Sequence, residues 1–265
     1  MTSPPSLTLT STFQAVPPAL PLGTWANVFT RTLAIQGSWN YETLLGNGIG
    51  FCVEPALRYL PGGIKGEAFK AAMTRESAYF NAHPYLASVA VGALARVELS
   101  GVPADRIERF RTALCGPLGS VGDRLVWAGW LPFCSLVALL CFGLGVGPAH
   151  TLVTFLVLYN VGHLALRVWG LHVGWTRGLQ VASALANPVL RQGPSHVARA
   201  AAAVAGVAVP LTAARLLGHN PTLLGTVLGS AALMAVVLVR LHGRVEGYKV
   251  ALVLLALFAL VSVGR

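Results

Sequence analysis

Acidic residues are scarce in this chain: nine Asp and Glu among 265 residues against nineteen Lys and Arg, with none between positions 124 and 245. A carrier that couples its solute to protons or ions needs titratable carboxylates within its spans, so this gap argues against a stand-alone ion-coupled transporter. The four cysteines, Cys52, Cys115, Cys134 and Cys141, are separated by 63, 19 and 7 residues, which is neither a zinc spacing nor a secreted disulfide framework. They read as small apolar packing residues. No HExxH, GxSxG or Walker A sequence is present, and the seven histidines form no pair at helical spacing. These absences argue against a self-contained hydrolase, metalloenzyme or ATPase, and no cofactor or metal is expected. Residues 1–24 are rich in Ser, Thr and Pro but lack the basic start and apolar core of a cleaved signal, so residues 1–28 are expected to be a disordered cytoplasmic tail.

What is abundant is apolar: 55% of residues are hydrophobic, 11% are charged, and the mean hydropathy is +0.66. This composition belongs to an integral membrane protein. A net charge of +10 and a pI near 10.1 also occur in nucleic-acid binders, but here the bases sit between apolar runs, not on one polar face, so no nucleic-acid partner is expected. Charge-free stretches at 125–147, 149–166, 200–214, 222–239 and 250–264 predict about five membrane segments across 125–265. Because a straight crossing needs about 20 residues for a core of roughly 30 Å, the shorter runs must borrow flanking residues. Lys and Arg counts in the intervening loops alternate as 0, 4, 1 and 3. By the positive-inside rule the first half then lies in the cytoplasm and Arg265 outside.

The region 29–124 reads as cytoplasmic, interfacial and re-entrant helices. Between 65 and 81, Phe69, Met73 and Phe80 fall at helical spacing, with Glu67 and Lys70 on another face. From Asp105, a capping box with Glu108 opens a stripe of Ile107, Phe110 and Leu114, while Arg106, Arg109 and Arg111 point elsewhere, as on a membrane-surface helix. Residues 85–95 are small and apolar, long enough for half of a hairpin dipping into the membrane.

Several polar constellations interrupt this background. Gly116-Pro117-Leu118-Gly119-Ser120-Val121-Gly122-Asp123-Arg124 breaks the backbone at the threshold of the first long apolar run. Two readings stand for Asp123: a polar ligand in a protein-lined cavity, or a cap on the following helix. Phe80-Asn81-Ala82-His83-Pro84-Tyr85 brings an amide, an imidazole and a phenol to a helix break, groups that suit a hydroxyl-rich ligand such as a sugar. Asn81 also reads as a helix C-cap, and His83 as a buried packing histidine. Gln36-Gly37-Ser38-Trp39-Asn40-Tyr41 precedes Gly46, Gly48 and Gly50, a run that permits close helix packing. Asn160 and His163 lie inside a span, and Arg177 is either a sugar hydrogen-bond donor or an orienting charge.

These blocks, Gln36–Tyr41, Phe80–Tyr85, Gly116-Pro117-Leu118 with Gly122-Asp123, and Asn160 followed by Gly170, Gly174, Thr176, Arg177 and Gly178, resemble in order and interval the IID component of the mannose/fructose/sorbose family of the bacterial sugar phosphotransferase system. The resemblance covers roughly residues 29–190 and fades toward the C-terminus. It implies a non-catalytic membrane subunit that pairs with a IIC subunit and carries a hexose or amino sugar inward, where IIB, charged by IIA, phosphorylates it. It also implies residence among lipids of the bacterial inner membrane and a homo-oligomer of IIC–IID pairs. Under it Asn81 and Asp123 take sugar-pathway or core-packing roles over simple capping. Three positions depart from the family pattern: His83 stands where Gln is usual, Arg124 where Pro is usual, and Arg177 where Lys is usual.

The expectation is therefore an all-α integral membrane protein whose substrate contacts are Asn40, Asn81, His83, Asp123 and Arg177. The stand-alone carrier and a non-transporting regulatory relic are its alternatives.

Overall fold

A computed structural model describes residues 20–186, 188–217 and 221–240. Among these the chain is helical, and its only extended pairings are isolated bridges of Leu44 with Asn40 and with Phe80. The contacts divide it into two units, the first comprising residues up to Ser135 with Thr154–Ala201, the second Leu136–Val153 with the residues from Ala202.

The first unit opens with α1 (Leu22–Leu33), which starts after Pro21 and lies partly inside the stretch expected to be a disordered tail; residues 1–19 of that tail are outside the described residues. Helices α2 (Gly46–Leu57) and α3 (Glu67–Glu76) follow. In α3 the expected Glu67–Lys70 pair forms at 2.8 Å. The helix ends before Phe80, which is buried in the following loop and not on a helical stripe. At the centre is α4 (Ala87–Leu99), a 13-residue helix buried almost all round and hence apolar on every face. Its segment, which includes most of the stretch read as half of a hairpin, is a buried core helix.

Helix α5 (Ala104–Gly122) starts without a side-chain cap, so the expected Asp105–Glu108 capping box does not form. Nor does the backbone break at Gly116–Asp123. The helix runs through Pro117, widens into a π-helical stretch over Asp123–Trp130, and continues as α6 (Leu131–Gly143). Proline removes one ladder bond and crowds the preceding turn, and the widened stretch lies just before Pro132, where a wider turn accommodates such strain without ending the helix. The whole rod, Ala104–Gly143, has 40 residues. That is more than the about 20 residues a straight crossing needs.

Two more helical stretches, Pro148–Ser183 and Leu190–Leu216, are long and apolar enough to cross. They contain α7 (Pro148–Arg177), the start of the short α8 (Val181–Leu185) and most of α9 (Pro188–Leu217). The expected segment 222–239 corresponds to α10 (Pro221–Arg240), and that at 250–264 lies outside the described residues. Val157, Val161, Leu164 and Val168 of α7 are exposed along one side, an apolar face suited to lipid. Arg167, counted above as a loop charge, is instead inside α7 and buried, while Arg191 and Arg199 lie on α9. The alternation of loop charges therefore carries less weight than its counts suggest.

Helix α4 crosses α7 at backbone distance. A β-carbon on Gly92 would lie 2.4 Å from the Leu171 carbonyl oxygen, and one on Gly174 2.2 Å from that of Val89, so both positions require glycine. The other fastening is ionic. Arg75 of α3 forks onto Glu98 of α4 through two 2.8 Å bonds, and Arg111 of α5 pairs with the fully buried Glu76 while donating to the Ala78 carbonyl at 2.9 Å. Arg111, expected on a polar surface, is a core residue. All four cysteines are free, and burial pushes the Cys52 thiol up to about 12 despite opposing charges on Arg167 and Arg31, so it packs as an inert apolar group.

The second unit holds the turn between α6 and α7. Gly145 adopts φ +94°, and the bonds from Val146 N–H to Cys141 and from Gly145 N–H to Phe142 close a Schellman-type cap. Within the same unit Thr212 donates to the Leu139 carbonyl at 3.1 Å. Arg215 donates to the Phe142 carbonyl and lies over that residue's ring.

Candidate functional site

Three of the sequence blocks meet through backbone bonds. The Asn40 side chain closes an Asx turn, accepting from the N–H groups of Glu42 (2.9 Å) and Thr43 (2.8 Å) and donating to Thr43 Oγ1 (2.9 Å). That turn is bonded to the next block in both directions, Leu45 N–H to Phe80 at 3.0 Å and Phe80 N–H to Thr43 at 3.1 Å. His83 N–H in turn reaches the Leu118 carbonyl of α5, and its side chain lies where a β-carbon of Gly122 would be. Asn40 is thus a turn-former whose amide is fully used locally.

Asn81, two residues before His83, and Asp123, next to Gly122, are both exposed, and neither is hydrogen-bonded through its side chain among the described residues. Their capping readings fall away, because α3 ends at Glu76 with Ser77 as its cap and the helix passes straight through Asp123.

Inward from His83 lies a cluster of rings. Its Nδ1 accepts the Tyr85 N–H at 3.2 Å, which assigns the imidazole proton to Nε2. Burial pushes the His83 imidazole down to about 4, the charge of Arg167 adding to the effect, so it is neutral at physiological pH. Its ring meets Tyr85 and Trp127, each at 5.0 Å between centroids. Tyr85 stacks on His163 at 4.8 Å, shares a 2.7 Å hydrogen bond with the Tyr159 hydroxyl, and carries the Arg167 guanidinium 4.7 Å above its ring centroid. Arg167 is fixed by donation to the Thr32 carbonyl of α1, and His163 by a 2.9 Å bond to Asn160 Oδ1. Beside them is a cavity of about 200 Å³ lined by Tyr85, Leu125, Val126, Trp130, His163 and Leu166.

Four buried polar atoms around this cluster have no hydrogen-bond partner among the described residues: His83 Nε2, Trp130 Nε1, His163 Nδ1 and Arg167 Nε. Buried polar atoms are ordinarily paired, so each of these is an exception that the surrounding packing leaves unsatisfied. The cavity wall itself is ring and aliphatic surface, which suits the C–H face of a solute. No group of three or more His, Cys, Asp or Glu placed to hold a metal occurs among the described residues.

Arg177 does not belong to this cluster. It lines a different cavity together with Arg96, at the far end of α4 from His83, about 20 Å away by helical rise.

The profile of the mannose/fructose/sorbose family IID component of the phosphotransferase system matches residues 21–212. The chain belongs to this family. It is 30% identical over 173 residues to the mannose-specific EIID component of Escherichia coli K12, covering 62% of this chain and 59% of that protein. It is 29% identical over 170 residues to the fructose permease IID component of Bacillus subtilis, with 61% and 59% covered. The sorbose-specific EIID component of Lacticaseibacillus casei is 31% identical over 166 residues, with 59% and 56% covered. The chain thus spans about three-fifths of the length of these curated relatives. Among solved structures, one described as a membrane protein matches with TM-score 0.62 at 26% identity, over 71% of this chain and 70% of that one. The mannose transporter ManYZ in complex with microcin E492 matches with TM-score 0.55 at 23% identity, over 91% and 96%, a likeness of fold. The resemblance drawn from the sequence blocks is therefore established as membership, together with the all-α membrane fold.

Sequence reasoning named Tyr85 as the phenol of its block but missed the residues of this IID chain that gather round it: Trp127, Trp130, Tyr159 and Arg167. A signal was available in Tyr159, His163 and Arg167, which recur every four residues and so share one face of α7.

Proposed function

We propose that this chain is the IID subunit of a phosphoenolpyruvate-dependent permease, translocating a hexose or amino sugar together with a IIC subunit for phosphorylation by IIB, which IIA supplies. It works in the bacterial inner membrane with the N-terminus in the cytoplasm and the C-terminus outside, within a homo-oligomer of IIC–IID pairs, and performs no chemistry of its own. The observation that carries this reading is the ring and donor cluster at Tyr85, set in a chain whose residues 21–212 match the IID family. His83, Asn81 and Asp123 form the rim of the sugar path, and Tyr85, Tyr159 and His163 its wall. Asn40 braces the rim through its turn. Arg177 stands apart from this path.

Uptake of labelled mannose, fructose and amino sugars into cells expressing the chain with and without its IIC partner tests the reading, with accumulated sugar phosphate assayed in parallel. Partner-dependent sugar phosphate is the expected result. Free sugar accumulating without a partner, abolished by an uncoupler, would overturn it.

A further inference from the structure

At the end of α4 opposite His83, Arg96, Arg106 and Arg177 line a cavity of about 220 Å³ together with Ser100, Thr176 and Gln180, and no carboxylate lines it. The nearby acids are engaged elsewhere: Asp105 is held by Arg109 at 2.6 Å, and Glu98 is turned inward onto Arg75. Arg96 is fixed. One of its terminal nitrogens, Nη1, donates to the last carbonyls of α7, Trp175 at 2.8 Å and Thr176 at 3.1 Å, which leaves its Nε and Nη2 without partners among the described residues. Gly178, at φ +51°, gives this side chain its place, since a β-carbon there would lie 2.9 Å from Arg96 Cδ. Arg177 makes one long bond, 3.2 Å to Ser183 Oγ, and Arg106 makes neither an ion pair nor a side-chain hydrogen bond among the described residues. Surface arginines that only orient a membrane protein are free to spread through solvent. Three that line one concavity, with like charges and no counter-ion among its lining residues, make it a place that favours an anion.

We propose that this cavity is a binding site for a phosphate ester. The flat, forked guanidinium donates in parallel to two oxygens of a tetrahedral phosphate, and the hydroxyls of Ser100 and Thr176 and the Gln180 amide supply the neutral polar remainder of the lining. Two sources offer that chemistry: a soluble phosphate monoester and the phosphodiester of an anionic lipid headgroup. The site is read from the geometry of the arginines alone and does not rest on the transport reading.

The test uses the full chain purified in uncharged detergent, titrated with inorganic phosphate by calorimetry. In parallel, native mass spectrometry follows release from nanodiscs containing phosphatidylglycerol or only phosphatidylcholine. The comparison is the Arg106→Gln/Arg177→Gln double variant, both residues being exposed, with the Arg106→Gln single variant in reserve should the double one melt early. Saturable phosphate binding weakened about tenfold or more in the variant supports the site with a soluble occupant, that being the scale of losing one charge-assisted hydrogen bond. Phosphatidylglycerol retained by the natural chain and lost from the variant supports the site with a lipid occupant. Binding of neither probe, or equal binding by the natural chain and the variants, would overturn the proposal.

Discussion

The side chain of His83 occupies the space that a β-carbon on Gly122 would need: the two β-carbons would lie 2.2 Å apart. This contact locks the loop before α4 to α5, next to Asp123. Gly122→Ala is therefore expected to force the two elements apart. Overpacking of this kind costs about 1–3 kcal/mol, so the variant's melting temperature in detergent should fall by several degrees and partner-dependent sugar uptake should drop with it. An unshifted melting curve would show that the loop moves freely against α5.

His83 also makes stability depend on pH. Its ordinary value is 6.5 and its folded value is about 4, so between these limits the unfolded chain binds the extra proton. Stability is then full above pH 6.5 and declines as the pH falls toward 4, by up to about 3 kcal/mol. The Gln usual in the family at this position cannot titrate. His83→Gln should accordingly flatten the decline in melting temperature between pH 6.5 and 4, and equal slopes for the two chains would refute the assignment.

Much of this was legible in the sequence because membrane burial is written in composition: acid-free apolar runs located α6, α7, α9 and α10, and four spaced blocks indicated the family. What escaped was every case in which a polar residue was sheltered by partners distant in sequence. Arg111 reads as one of three surface arginines until Glu76, 35 positions earlier, is placed beside it. Arg167 reads as a loop charge until the Thr32 carbonyl and the Tyr85 ring are seen to receive it. Pro117 and its glycines read as a break because local propensity favours one, yet packing against the His83 loop keeps the helix intact.

Arg111 and Glu76 give a further expectation. Removing either partner of a buried ion pair leaves the other charge uncompensated, at a cost of about 3–5 kcal/mol. Arg111→Met should destabilise the chain on that scale, and Glu76→Gln, whose amide retains some hydrogen bonding, by less. The double variant Glu76→Met/Arg111→Met should recover much of the loss, since an apolar pair leaves no buried charge. A double variant as unstable as the sum of the two Met single variants would show that the residues do not act as a pair.

Asp123 separates the transport reading from a purely architectural one. Its carboxylate is exposed, bonded to nothing among the described residues, and placed next to Gly122 on the rim that His83 completes. Such a group contributes little to folding, because a surface charge without a partner has no interaction to lose. Asp123→Ala should therefore leave the melting temperature and co-purification with the IIC partner unchanged while abolishing sugar uptake. Tyr85→Phe provides the contrast from the cavity wall. It deletes the 2.7 Å bond to Tyr159, buried polar contact included, and should lower both stability, by about 1 kcal/mol, and uptake. If Asp123→Ala transports normally while Tyr85→Phe does not, the sugar path runs along the ring cluster without touching the rim. If both transport normally, the cluster is core packing and the path lies elsewhere in the assembly.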